Sequence, residues 1–186
     1  MIAVAEELVS TGVTTPERLA VRGGSNGGLL VGNMLTLRPD LFGAVVCAVP
    51  LLDMKRYSHL LAGASWMAEY GDPDTADWDA FLKRYSAYHN IQPGASNYPP
   101  LLMTTSTRDD RVHPYHARAF VKRLQDTKEE GSSSSSSSSA YGGRSLHYYE
   151  NIEGGHGGAA DAKQQAFMTT LYLDFLKKTI GKGLMK

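Results

Sequence analysis

A single serine stands at the centre of the glycine-rich stretch formed by residues 23–28. Ser25 has Gly23 two positions before it and Gly27 two positions after it, which is the Gly-x-Ser-x-Gly pattern of a nucleophile elbow. In such a turn a strand passes directly into a helix, the serine backbone is strained, and Cβ atoms on the flanking residues would clash. The serine hydroxyl then lies at a helix N-terminus, where a developing negative charge is stabilised. The pattern predicts a nucleophilic Ser25, although a phosphate-binding loop or a simple tight turn has the same composition.

A serine hydroxyl needs a general base, and that base needs a carboxylate to orient it. In α/β-hydrolases the chain order is serine, then acid, then histidine. Asp109 and Asp110 directly follow one predicted strand, and His156 follows the last predicted strand with glycines on both sides. We expect Ser25, Asp109 and His156 to act together, with Asp110 as a solvent-facing or capping neighbour, although the sequence barely separates the two carboxylates. Packing or capping roles are expected for the other histidines, which are His59, His89, His113, His116 and His147.

The elements that must position these residues alternate between strand-like and helical patterns. Short apolar strands are predicted over residues 19–22, 44–49, 101–105 and 145–152. Helices are predicted from Asn26, near 78–85, over 115–127 and over 161–178, the last with a core-facing apolar stripe. Apolar strands separated by helices are typical of a parallel sheet covered on both faces, so the predicted fold class is α/β.

Length and composition limit the class of protein further. The 186 residues, 42% of them hydrophobic, suffice for one domain or part of one. The net charge is zero, and no basic stripe or cationic amphipathic helix points to nucleic acid or to a membrane surface. The longest apolar run, residues 42–52, is too short to span a bilayer. No secretory signal is visible, and Cys47 is the single cysteine, so we expect a buried thiol and a cytoplasmic location.

Two further stretches are not expected to carry chemistry. The serines at 132–139 cannot bury apolar surface and predict a solvated, flexible loop insertion. An acidic cluster lacks the central glycine and closing glutamate of a calcium loop, and a solvated helix N-terminus is predicted for its members, Asp72, Asp74, Asp77 and Asp79. A serine mechanism requires no metal and no diffusible cofactor, so none is expected.

Five stretches together resemble the catalytic domain of the prolyl oligopeptidase family of serine peptidases. They lie in family order at residues 22–30, 66–72, 85–90, 109–112 and 154–157. The resemblance covers almost the whole chain apart from the serine tract. It implies that residues 1–186 are the C-terminal half of an α/β-hydrolase domain, without the family's earlier strands and β-propeller. The implied partners are short peptide substrates and the missing N-terminal part of the same protein.

The resemblance also implies roles for individual residues. It assigns nucleophile, acid and base to the same three residues, and one oxyanion donor to the Asn26 amide; a tyrosine in the absent strands would supply a second. Trp66 would stack on a substrate proline, and Arg111 would bind a substrate carbonyl. The other residues implied to line the proline pocket are Leu51, Tyr70 and Val112. By their own chemistry, Trp66 also fits an ordinary core position, and Arg111 fits an ion pair with Asp109 or Asp110.

The leading expectation is therefore a serine peptidase that cleaves short peptides after proline through an acyl-enzyme. Other specificities of the same fold remain alternatives: cleavage after basic residues, for which Glu69 is a candidate, a dipeptidyl peptidase, or an esterase. An alternative from another class is a truncated, catalytically silent fragment. Half of a parallel sheet ends in an uncovered strand, here residues 19–22, which would offer a pairing edge to a partner.

Overall fold

Four parallel strands form the sheet of the computed structural model, which describes residues 1–92, 97–126 and 145–181. The strands lie side by side in the order in which they occur along the chain. They are β1 (Ala20–Gly24), β2 (Ala44–Ala48), β3 (Leu101–Ser106) and β4 (Leu146–Asn151). Because the carboxyl ends of parallel strands meet at one edge of a sheet, the loops that follow β1, β3 and β4 share that edge.

Helices connect the strands and cover the sheet. The α-helices are α1 (Ile2–Ser10), α2 (Asn26–Leu37), α3 (Met67–Tyr70), α4 (Asp77–Ala80), α5 (Tyr115–Asp126) and α6 (Ala162–Thr179). Short 3₁₀ turns lie at Pro16–Arg18, Pro39–Leu41, Tyr57–His59, Leu61–Trp66 and Leu82–Tyr85. None of the described helices is long and apolar enough to cross a membrane.

Alternate residues of each strand point to opposite sides, and the two central strands, β2 and β3, are buried on both faces. On one face the central strands pack against α2 and α5 through residues such as Val45, Leu35 and Phe120. On the other face, Val46 and Leu102 contact the apolar stripe of α6. The predicted stripe is confirmed: its buried members are Met168, Tyr172 and Phe175, with Leu171 and Leu176 partly buried. The α/β prediction is therefore confirmed.

The structure differs from the sequence prediction between the second and third strands. The single helix predicted near 78–85 is wrong: α4 ends at Ala80, and the chain continues as a 3₁₀ turn from Leu82. Phe81 leaves the helical conformation with φ −152°. After this break Leu82 is buried in the core, whereas Phe81 stays partly exposed.

Two other sequence predictions concern single features. Cys47 is buried in β2, as predicted, and burial raises the pKa of its thiol. The serine tract at 132–139 and the end of the predicted helix 115–127 lie outside the described residues.

Candidate active site

Ser25 forms the junction between β1 and α2. Its backbone has φ 57° and ψ −119°, a conformation that a residue with a Cβ atom rarely adopts. Two hydrogen bonds hold it there: the Ser25 N–H donates to the Ala48 carbonyl at 3.0 Å, and its own carbonyl accepts the Leu29 N–H at 3.1 Å. The side chain makes no capping hydrogen bond to the helix, so the hydroxyl is available at the sheet edge. The strained serine predicted from the motif is present.

The two glycines of the motif differ in how much space they leave for a side chain. A Cβ atom on Gly23 would contact the Gly27 carbonyl group, with the carbon atom at 2.6 Å, so Gly23 must lack a side chain. A Cβ atom on Gly27 would meet nothing within 4 Å among the described atoms. The predicted clash is therefore confirmed for Gly23 and wrong for Gly27. Within the glycine-rich stretch, Gly28 also has a close contact, because a Cβ there would lie 2.6 Å from Cβ of Pro50.

Ser25, Asp109 and His156 come together in one hydrogen-bonded chain. The distance from Ser25 Oγ to His156 Nε2 is 3.0 Å, and His156 Nδ1 lies 2.8 Å from Asp109 Oδ2. A carboxylate can only accept, so Nδ1 carries the proton, and the Nε2 lone pair faces the serine hydroxyl. The arrangement places a hydroxyl, an imidazole and a carboxylate in hydrogen-bonding contact.

The turn after β3 gives the two candidate carboxylates, Asp109 and Asp110, different environments. Asp109 is buried, whereas Asp110 is exposed. Oδ1 of Asp109 accepts the backbone N–H groups of Arg111 and Val112, each at 2.9 Å. These bonds fix the carboxylate with Oδ2 facing His156. The turn thus favours Asp109, as the sequence analysis preferred.

The residues expected to line a substrate pocket pack into one apolar cluster beside the elbow. Leu51 and Val112 are buried with Leu29, which lies in the first turn of α2. Trp66 and Tyr70 are partly buried against the same cluster. Each retains exposed surface, unlike the fully buried core aromatics Tyr57 and Phe120.

Hydrogen bonds fix the aromatic wall of this cluster. The Tyr57 hydroxyl donates to the Gly71 carbonyl, and the Tyr57 and Tyr70 rings meet edge to face at 5.7 Å. Burial raises the pKa of Tyr57 to about 12, so its hydroxyl remains a donor at neutral pH. Tyr85 donates to the Tyr70 carbonyl at 2.9 Å. Tyr70 is therefore held from both sides.

The two polar candidates lie at the rim of the site. Arg111 is exposed, and its guanidinium pairs with neither Asp109 nor Asp110, all three of which the structure describes. Asn26 is the first residue of α2, so its N–H has no partner within the helix. Among the described residues, no group of three or more His, Cys, Asp or Glu side chains is arranged to hold a metal ion.

The chain as a whole is similar to known proteins. A family model described as "Prolyl oligopeptidase family" matches residues 1–183. The chain belongs to the prolyl oligopeptidase family. An uncharacterized peptidase of Sinorhizobium fredii is 46% identical over 164 residues, covering 88% of this chain and 20% of that protein. A prolyl endopeptidase of Elizabethkingia meningoseptica is 44% identical over 125 residues, covering 67% and 18%.

A solved structure of a post-proline cleaving enzyme from Rickettsia typhi has a TM-score of 0.82 and 39% identity. The similarity covers 96% of this chain and 24% of that one. The fold is therefore the α/β-hydrolase domain of the prolyl oligopeptidase family. This chain spans about a quarter or less of the length of these relatives.

Sequence reasoning missed a charged cluster beside the Asp109 loop of this prolyl oligopeptidase domain. Glu150 on β4 accepts hydrogen bonds from Thr107, Tyr148 and the Arg118 guanidinium, whose Nε lies 3.0 Å from Oε2. Thr107 stands two residues before Asp109, so the cluster ties the start of that loop to β4 and α5. Chiefly through the bonds from Arg118, the pKa of Glu150 falls from its usual 4.5 to about 2. No local pattern marks these residues, because they are distant in sequence.

Glu150→Gln is expected to lower stability at pH 7 by about 1 kcal/mol, a value reduced for solvent screening because Arg118 is half exposed. For a chain of this size the melting temperature should fall by about 2–4 °C. A carboxyl group whose pKa is lower in the folded than in the unfolded protein stabilises the folded state at pH values above its unfolded pKa. That stabilisation is lost as the pH falls through the pKa of the folded state. The difference from wild type should therefore shrink between pH 4.5 and pH 2.

Melting curves by circular dichroism at pH 7 and pH 3 check this. Asp174→Asn is the matched control, because Asp174 pairs with Lys178 at 2.7 Å on an exposed helix face and should cost little at either pH. A Glu150→Gln deficit that is the same at both pH values would contradict the assigned role of the carboxylate.

The histidines expected to have structural roles are occupied elsewhere. His116 is buried, and its Nδ1 accepts the N–H groups of Leu52 and Asp53 at 3.3 and 3.1 Å. Burial lowers the pKa of His116 to about 4, so the ring stays neutral at physiological pH. His113 Nδ1 accepts the Tyr115 N–H at the start of α5. These contacts anchor the turn after β2 and the beginning of α5.

Proposed function

We propose that this chain carries the catalytic residues of a serine peptidase that cleaves short peptides after proline. The observation that carries the proposal is the continuous hydrogen-bonded chain from Ser25 Oγ through His156 to Asp109. Membership of the prolyl oligopeptidase family supports the reaction class. Relatives named as prolyl endopeptidases support the choice of proline.

In the proposed reaction, His156 Nε2 takes the proton from Ser25 Oγ as the oxygen attacks the scissile carbonyl carbon. Asp109 keeps the proton on Nδ1 and stabilises the imidazolium that forms. The negative charge develops on the carbonyl oxygen beside the first turn of α2, where the Asn26 N–H can donate to it. Collapse of the tetrahedral intermediate breaks the C–N bond, and His156 returns the proton to the leaving amine.

The second half of the reaction uses the same base. The acyl group remains on Ser25 as an ester, and a water molecule enters the place of the leaving amine. His156 takes a proton from that water as it attacks the ester carbonyl, and then returns a proton to Ser25 Oγ. The acid product leaves, and every group of the chain is restored.

Specificity for proline is proposed to come from the apolar cluster beside the elbow. A flat indole such as that of Trp66 offers a large, rigid surface to a pyrrolidine ring. Leu51, Tyr70 and Val112 supply the apolar surroundings, and Arg111 can donate two parallel N–H groups to a peptide carbonyl. The Arg111 side chain is exposed and has no ion-pair partner among the residues that the structure describes, which supports this role.

The complete protein is proposed to contribute further groups. The relatives that match this chain are about four times its length, since 164 matched residues are 20% of one and 125 are 18% of another. Within the described residues β1 pairs only with β2, so its other edge is open. A second oxyanion donor and a limit on substrate size would come from additional chain.

The test is labelling of this chain with a fluorophosphonate, followed by mapping of the adduct by peptide mass spectrometry. An adduct on Ser25, prevented by a proline-containing peptide substrate, is expected. Circular dichroism establishes that the protein is folded before labelling. A folded chain that gains no adduct would instead support the silent-fragment alternative, and an adduct on another serine would contradict the assigned nucleophile.

Trp66→Ala is expected to raise KM for a proline peptide on the order of tenfold, with a smaller change in kcat. The loss follows from the missing ring surface, since aromatic contacts contribute roughly 1 kcal/mol beyond burial. The measurement is hydrolysis of matched peptides with proline or alanine before the cleaved bond. Phe167→Ala is the control, because Phe167 is a half-exposed aromatic residue of α6 that packs against Tyr149 at 5.3 Å, outside the apolar cluster. An unchanged proline-to-alanine preference in Trp66→Ala would argue against the stacking role.

A further inference from the structure

Asn151 is the last residue of β4 and lies five residues before His156. Its side chain is buried, and every hydrogen-bonding group on it has a partner. Oδ1 accepts the backbone N–H groups of Glu153 and Gly154 at 3.0 and 3.1 Å. Nδ2 donates to the Gly158 carbonyl at 2.9 Å and to Gln164 Oε1 at 2.8 Å. An asparagine amide has two donor hydrogens and an oxygen that accepts two bonds, so no capacity remains.

These four bonds enclose the histidine loop. The contacts with Gly154 and Gly158 lie two residues before and two residues after His156. His156 itself is flanked by glycines at positions 155 and 157, whose backbones are intrinsically free to move. The loop therefore gains its fixed shape from bonds made by a neighbouring side chain.

The main chain of Asn151 reaches the other catalytic loop. Its carbonyl accepts the Thr107 N–H at 2.8 Å, two residues before Asp109. Asn151 thus contacts the loop that bears the acid through its backbone and the loop that bears the base through its amide. The relative position of Asp109 and His156 depends on this one residue more directly than on any helix.

Gln164, in the first turn of α6, extends the arrangement. Its Oε1 accepts the Ala160 N–H at 2.9 Å as well as the Asn151 amide, and its Nε2 donates to Glu153 Oε2 at 2.8 Å. Its own backbone N–H is held by the Asp161 side chain at 2.8 Å. Both ends of the loop are thereby connected to the start of α6.

The loop is also sterically fitted to Asn151. A Cβ atom on Gly154 would lie 3.0 Å from Asn151 Nδ2 and 2.9 Å from the Gly158 carbonyl oxygen. The Asn151 side-chain amide therefore fills the space inside the turn and also hydrogen-bonds to the backbone of the turn.

We propose that Asn151 is a positioning residue that holds the His156 ring between Ser25 and Asp109. It acts through the loop and contacts neither substrate nor the reacting atoms. The proposal rests on the proposed function of His156 as the base. A displacement of about 1 Å in a catalytic group costs on the order of 10²-fold in rate, so a loop released from these bonds should lose about that much.

The test compares Asn151→Ala with Asn33→Ala in the same chain. Asn33 is the matched control because both asparagines are 5% exposed and each donates two hydrogen bonds through Nδ2. Asn151→Ala should label with a fluorophosphonate about 10²-fold more slowly, whereas Asn33→Ala should lose stability but label within a few-fold of wild type. Asn151→Asp, which keeps the accepted bonds and loses the donated ones, should fall between.

A second readout does not depend on activity. The proton shared between His156 Nδ1 and Asp109 should give a low-field proton NMR signal, assigned by its loss in His156→Ala. That signal should disappear or broaden in Asn151→Ala and persist in Asn33→Ala. A merely structural residue would lower the melting temperature without this selective loss.

The outcomes separate the two proposals. If wild type gains no label, the proposed function fails, and the low-field signal alone decides the role of Asn151. If Asn151→Ala is folded, labels like wild type and keeps the signal, the positioning role is overturned. If Asn151→Ala does not fold, the same measurements on Asn151→Asp and Gln164→Ala decide, and wild-type behaviour of both overturns the role.

Discussion

Asp109→Asn is expected to lower the rate of fluorophosphonate labelling about 10⁴-fold while leaving the fold intact. The amide oxygen must take the Oδ1 position, because only an acceptor fits the N–H groups of Arg111 and Val112. The amide nitrogen is then forced into the Oδ2 position, 2.8 Å from His156 Nδ1. An NH₂ group donates, and the amide oxygen, 3.0 Å from Nδ1, already accepts two backbone N–H groups, so the ring tautomer with its proton on Nε2 is favoured. A ring protonated on Nε2 cannot accept the proton of Ser25.

Asp110→Asn is the control for this experiment, because Asp110 is the adjacent aspartate and is exposed. It should label at the wild-type rate. The measurement is the second-order rate constant of labelling for both variants, with melting curves to show that they are folded. Equal rates for Asp109→Asn and wild type would remove Asp109 from the mechanism, and a large loss in Asp110→Asn would transfer the role to its neighbour.

Gly23→Ala is expected to destabilise the chain by about 3 kcal/mol or more and to abolish labelling. The added methyl group would contact the backbone carbonyl of Gly27, and backbone atoms on both sides cannot yield without opening the turn at Ser25. The melting temperature should fall by roughly 6–12 °C for a chain of this length.

The second motif glycine, Gly27, provides a control for which the expected change in stability has the opposite sign. Gly27→Ala adds a methyl group that meets nothing within 4 Å, and alanine is a better helix former than glycine. A gain of about 0.5 kcal/mol is expected. Thermal melts of the two variants check both predictions. A Gly23→Ala protein as stable as Gly27→Ala would contradict the steric account of the elbow.

Periodicity and motif order predicted the parts of the fold that depend on local sequence. The four strands were located within two residues of their ends, because each is a short apolar run bounded by turn residues. The stripe of α6 was found because its residues recur at helical spacing. The break at Phe81 was not predicted, since it depends on Leu82 packing against aromatic residues far away in the chain.

The sequence marks the residues of the candidate site but not the residues that support them. Glycines around Ser25 and His156 mark both positions in the sequence alone. The preference for Asp109 over Asp110 becomes firm only through the turn that buries one carboxylate. Asn151 and Glu150 carry no motif, because their partners lie on other loops and on α5 and α6. A single sequence without that geometry contains no signal for either residue.

The order of the strands sets a distance that the chain must cross. Ser25 follows β1 and His156 follows β4, three inter-strand spacings away, or about 14 Å. Between Asn151 and His156 there are five peptide units, whose fully extended reach is at most about 17 Å. The segment does not extend over this distance, because Asn151 Oδ1 holds the Glu153 and Gly154 N–H groups in a turn, and the imidazole of His156 completes the crossing to Ser25 Oγ.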